Sequence, residues 1–104
     1  MYKIVIYTPI AHADKIRQTL RESGAGRMGD YEACSFSCRG IGRFCALEGA
    51  APFLGKIGKV EEVEEERIET ICEEKILDQV LEKIREVHPY EEPAIDVYPL
   101  IYPK

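Results

Sequence analysis

The chain has 104 residues, a formal net charge of −5, 45% hydrophobic and 32% charged residues; it can bury one core, is too apolar for disorder, and is too short for a core domain plus a separate catalytic one. No run approaches the roughly 20 apolar residues needed to cross a bilayer, and the first residues enter a strand pattern without a basic, apolar leader, so a cytoplasmic location and no membrane partner are expected. No Lys/Arg cluster offers the basic face that phosphates require, which argues against nucleic acid as a partner; the length predicts a single domain over residues 1–104.

Tyr2 to Thr8 is β-branched and aromatic and closes at Pro9, which predicts a largely buried strand. From Ala11 to Ser23 the apolar positions Ala13, Ile16 and Leu20 recur at helical spacing, and Gly24 is placed to end that helix in a left-handed turn. Cys34 to Cys38 alternates apolar and polar residues, Arg39-Gly40-Ile41-Gly42 supplies turn chemistry, and Arg43 to Leu47 resumes the strand pattern, so a hairpin with its tip at 39–42 is expected. Residues 48–59 lack periodicity and form a long loop, and Val60 to Cys72 reads as a strand with Arg67, Glu69 and Ile71 on one face and Ile68, Thr70 and Cys72 on the other. The second helix carries Ile76, Leu77, Val80, Leu81, Ile84 and Val87 as one apolar stripe; Pro89 stops it, and Ala94 to Tyr98 forms a last strand. Two strand–helix units predict an α+β, ferredoxin-like split-βαβ sandwich, an antiparallel sheet with two helices on one face. The other face then calls for cover, which self-association would supply.

Gly24-Ala25-Gly26-Arg27-Met28-Gly29 matches G-x-G-x-x-G but follows a helix and leads into a strand, the reverse of a dinucleotide fingerprint. Cys34, Cys38, Cys45 and Cys72 form no C-x-x-C pair and are expected to be small buried thiols. Residues 61–74 hold eight glutamates and one arginine, a local net of −7, read as a solvated acidic edge, with a docking or cation-collecting patch as the alternative. Lys56 and Lys59 stand on a glycine-flexible loop, either an anion site or an interface loop.

The most pointed stretch is His88-Pro89-Tyr90-Glu91-Glu92-Pro93, a proline-bracketed connection between the second helix and the last strand. His88 with Glu91 or Glu92 has the donor types for a divalent metal or an acid–base pair; alternatively His88 caps the last helical carbonyls and the glutamates bond between subunits. His12, the other histidine, is expected to be exposed. With no G-x-S-x-G, H-E-x-x-H or P-loop, and no nucleophile beside a base, no catalytic residue is assigned and the chain is not expected to be an enzyme.

The segments Gly26–Ser37, Gly40–Phe44, Leu47–Gly55, Gly58–Val63 and His88–Leu100 resemble, in order and over nearly the whole chain, the domain inserted in bacterial Nif-three-like (YqfO-type) proteins. His88-Pro89-Tyr90-Glu91, followed by Pro93, is also similar to the C-terminal signature of CutA, a divalent-ion-tolerance protein. The resemblance implies a PII-like fold and trimers. The two-metal site of Nif-three-like proteins lies in flanking domains, so a hydrolase or cyclohydrolase label does not carry over. The resulting expectation is a stand-alone trimeric module that binds a small ligand or partner protein at subunit clefts, with His88, Tyr90, Glu91, Glu92, Lys56 and Lys59 as ligand-binding candidates. The alternative is a CutA-like divalent-metal protein using His88 and Glu91; no other cofactor is expected.

Overall fold

The computed structural model describes residues 1–101. Strand β1 (Tyr2–Pro9) leads through a 3-10 turn at Ile10–His12 into helix α1 (Ala13–Glu22). Strands β2 (Phe36–Cys45) and β3 (Val60–Cys72) follow, then a second 3-10 turn at Glu74–Ile76, helix α2 (Leu77–Val87) and strand β4 (Ile95–Pro99). The strands form one sheet in the order β2-β3-β1-β4, antiparallel at every junction. Each helical crossover therefore skips one strand, the split-βαβ arrangement of an α+β ferredoxin-like fold.

Pairing fixes which side chains share a face. Ile4 opposes Thr70, Ile6 opposes Ile68 and Tyr2 opposes Cys72. This side meets Ile16 and Leu20 of α1 and Val80 and Ile84 of α2 in one buried core. Both helices thus cover the same sheet face, and the face division expected for β3 holds. Helix α1 ends as its sequence requires: Gly24 has φ +97° and Ala25 N–H donates to the Leu20 carbonyl at 3.0 Å. On the opposite face, Phe36 and Tyr98 are exposed, and no helix lies over them among the described residues.

The hairpin expected at 39–42 is not there. Residues 36–45 are one continuous strand paired along its length with β3, so the true hairpin joins β2 to β3 through residues 46–59. Gly40 and Gly42 are not among the glycines with positive φ, so they turn nothing. They leave space on the sheet: a Cβ built at Gly42 would overlap the Glu65 carboxylate. The thiols also depart from expectation. Cys72 is buried in the core, but Cys34 is half-buried and Cys38 and Cys45 are exposed, because β2 is an edge strand. No helix among the described residues is long and apolar enough to cross a membrane.

Candidate functional site

Strand β1 ends opposite Glu65, but β2 and β3 run on for five more pairs, from Ile41–Glu64 to Cys45–Val60. At about 3.3 Å per residue this projects a two-stranded arm roughly 17 Å past the sheet body. The 46–59 loop folds back along the arm. Gly58 N–H donates to the Ala46 carbonyl at 2.8 Å, and Ala51 N–H meets the Glu91 carboxylate at 3.3 Å. Between the arm, this loop and the 88–94 connection lies a cleft of about 620 Å³, within the 300–1,000 Å³ or so typical of small-molecule sites. The residues that line it all belong to one chain.

His88 holds one wall. It is buried at 7% exposure; its Nε2 lies 2.8 Å from the Tyr7 carbonyl, and its Nδ1 accepts the Tyr90 N–H at 3.1 Å. Because Nδ1 accepts, Nε2 carries the proton and donates, which specifies one neutral tautomer. Burial pushes the imidazole below the usual histidine range, His12 adds to this, and the Tyr7 carbonyl and Glu65 oppose it. The ring caps no helical carbonyl; it is the backbone N–H of His88 that reaches Ile84, at 2.9 Å. With both nitrogens engaged, the ring in this geometry offers no lone pair to a metal. Among the described residues, no three His, Cys, Asp or Glu side chains converge as a metal site.

Tyr90 turns into the cleft. Its hydroxyl donates to Glu65 Oε2 at 2.7 Å, and desolvation, then the bond to Glu65, pushes the phenol well above the ordinary tyrosine range. Its ring centroid lies 5.9 Å from Phe44 and 6.3 Å from Phe53. Phe53 in turn meets His12 edge-on at 5.6 Å, so His12 is half-buried and anchors the loop, where exposure was expected. Glu65, at 9% exposure, places its carboxylate over Gly42.

Of the residues singled out in sequence, Tyr90, Glu91 and Glu92 line the cleft, and His88 lies behind Tyr90. Glu91 bonds within its own chain, to Ala51. Lys56 and Lys59 are exposed and stand apart from the cleft, Lys59 lying 3.8 Å from Glu61. Sequence reading missed Glu65, Gly42, Phe44 and Phe53. Glu65 was hidden in an acidic run read as solvated, yet it and Glu66 are buried, Glu66 taking Arg17 Nη1 at 2.7 Å. A usable signal was the pair of glycines inside a strand pattern, which marks close approach as readily as a turn.

No family model matches the chain. It is 46% identical over 100 residues to a GTP cyclohydrolase 1 type 2 homolog of Halalkalibacterium halodurans, 96% of this chain and 27% of that protein. The Mycobacterium tuberculosis protein of that name is 44% identical over 101 residues, covering 97% of this chain and 27% of its own length. The chain thus spans about a quarter of the length of the curated relatives it matches. Among solved structures, a Bacillus cereus protein related to NIF3 superposes with a TM-score of 0.83 at 42% identity, over 95% of this chain and 25% of that one. CutA1 from Pyrococcus horikoshii superposes with a TM-score of 0.73 at 21% identity, over 100% of this chain and 87% of that one, a likeness of fold alone. By sequence and by architecture, the chain is similar to one segment of NIF3-related proteins, about a quarter of those proteins' length.

Proposed function

We propose that the chain is an oligomeric binding module, a trimer, that takes a small ligand at the cleft between the β2–β3 arm and the 88–94 connection. The observation that carries this reading is the cleft itself, walled by the aromatic rings of Phe44, Phe53 and Tyr90 beside the buried Glu65. Self-association is supported by the sheet face where Phe36 is 66% and Tyr98 43% exposed, and by the outer edges of β2 and β4, which pair with no further strand among the described residues. Three is the number that the CutA likeness implies. The relatives' cyclohydrolase name belongs to proteins about four times as long.

Native mass spectrometry and sedimentation of protein purified without added ligand test the reading together. A trimer at micromolar concentration, with a retained small-molecule mass that Tyr90→Ala loses, is the expected result. Monomer alone would overturn the oligomeric reading, and retained mass indifferent to Tyr90→Ala would move the ligand elsewhere.

A further inference from the structure

The charge and shape of the cleft go further than its existence. Its lining holds three carboxylates, Glu65, Glu91 and Glu92, against one cation, Arg43, whose Nε lies 3.4 Å from Glu62 outside the lining. Glu91 is partly spent on the Ala51 N–H. Glu65 is different: its Oε2 takes the Tyr90 hydroxyl, whereas Oε1, seated over Gly42, has no hydrogen-bond partner among the described residues. A largely buried carboxylate with one oxygen open to the cleft is a strong acceptor for a charged donor, since a hydrogen bond to an ionised acceptor is roughly twice as strong as a neutral one. The rings of Phe44 and Phe53 each pack against that of Tyr90, whose hydroxyl holds the same carboxylate. Aromatic faces together with a carboxylate attract a positive charge on a hydrophobic body and disfavour an anion.

We propose that the cleft takes a small organic ammonium ion with an apolar or aromatic body, the nitrogen donating to Glu65 Oε1 and the body lying among Phe44, Phe53 and Tyr90. The proposal rests on the reading of this cleft as a ligand site and names the ligand's class. The phenol of Tyr90 fixes the carboxylate's orientation, and Gly42 leaves the space it occupies.

The test uses three probes of nearly equal shape and different charge: phenethylammonium, 2-phenylethanol and phenylacetate. Each is titrated into the full chain at millimolar concentration, and amide shifts of Gly42, Phe44, Phe53 and Ala94 are followed by NMR. Phenethylammonium should bind about tenfold or more tighter than the alcohol, the discrimination expected of one charge-assisted hydrogen bond, and phenylacetate weakest. Glu65→Gln should weaken phenethylammonium about tenfold while leaving the alcohol unchanged. Gly42→Ala, which displaces the carboxylate without altering its charge, should do the same and serves if Glu65→Gln misfolds. Equal binding of all three probes would overturn the charge assignment and leave the cleft reading standing. Silence of the cleft amides to all three would overturn both. If phenethylammonium dissociates the oligomer, the cleft holds a lysine or arginine of a second copy, and the free-ligand proposal fails.

Discussion

His88 provides the sharpest test of how the cleft is built. The alanine variant removes a buried ring that satisfies the Tyr7 carbonyl at 2.8 Å and the Tyr90 N–H at 3.1 Å. An orphaned buried polar group costs about 1–3 kcal/mol, so two cost roughly 2–6 kcal/mol, less if water enters the space the ring leaves. Urea unfolding of wild type and His88→Ala at neutral pH and one fixed protein concentration measures the loss, concentration mattering because association adds to apparent stability. The sign of the pH dependence follows from burial, which lowers the ring's proton affinity in the folded state. The unfolded chain therefore takes up the proton first as pH falls. The contribution of the neutral ring is complete above the ordinary histidine value of 6.5 and is lost as pH falls through the lower folded value. Wild type should accordingly lose stability more steeply than His88→Ala as pH falls from 6.5 to that lower value. A loss under about 1 kcal/mol at neutral pH, or parallel acid slopes for the two proteins, would refute the reasoning.

The two in-strand glycines should behave oppositely. Gly40→Ala meets nothing within 4 Å and should change stability by less than about 0.5 kcal/mol or raise it, whereas Gly42→Ala must displace Glu65 and should cost about 1–3 kcal/mol in urea unfolding; equal effects would remove the steric argument. Arg17→Ala strips Glu66, whose side chain is 9% exposed, of its ion-pair partner; because the guanidinium is itself 31% exposed, a discounted loss of about 1–3 kcal/mol is expected in thermal melts, and no loss would show Glu66 satisfied by water. Native thiol labelling should leave Cys72 slowest, since burial both shields it and pushes its thiol up, and labelling of Cys38 on the open sheet face should slow as protein concentration rises; concentration-independent labelling of Cys38 would count against association through that face. Amide exchange should be faster at 47–56 than at 88–90, and the reverse order would show the loop to be the firmer wall.

What the sequence conveyed well was what periodicity controls. The apolar stripe from Ile76 to Val87 and the β-branched run at β1 are long, regular and locally consistent, and both emerged as expected, as did Gly24 at the end of α1. The β2 error had a definite cause. Glycine without side-chain partners in sequence looks like turn chemistry, and only the approach of Glu65, 23 positions on, shows that Gly42 clears space instead. The acidic run illustrates the same limit. Glu61 through Glu66 are nearly alike as letters, yet burial of Glu65 and Glu66 depends on Tyr90 and Arg17, which tertiary structure alone brings to them. Tyr90 was legible because two prolines confine its segment, and His88 was legible as important, though its role as a strut between β1 and the connection needed the position of the Tyr7 carbonyl.

These attachments divide the cleft into unequal halves. On one side, Tyr90 is held by its hydroxyl to Glu65, by its N–H to His88 and through His88 to the central strand. A side chain fixed at three levels presents its ring and its carboxylate partner in one orientation before any ligand arrives, which lowers the ordering cost of binding. On the other side, the loop that carries Phe53 meets this wall through the Ala51–Glu91 bond and the packing of Phe53 against His12 and Tyr90, with Phe53 itself 51% exposed. Contacts so few and so open are the ones that local fluctuations break first. Recognition of charge therefore rests with the fixed wall, at Glu65, while enclosure of the apolar body falls to the adjustable one, at Phe53. A ligand that reaches Glu65 but is too short to touch Phe53 should keep its preference for positive charge and lose affinity, so charge selectivity and affinity are separable in this cleft.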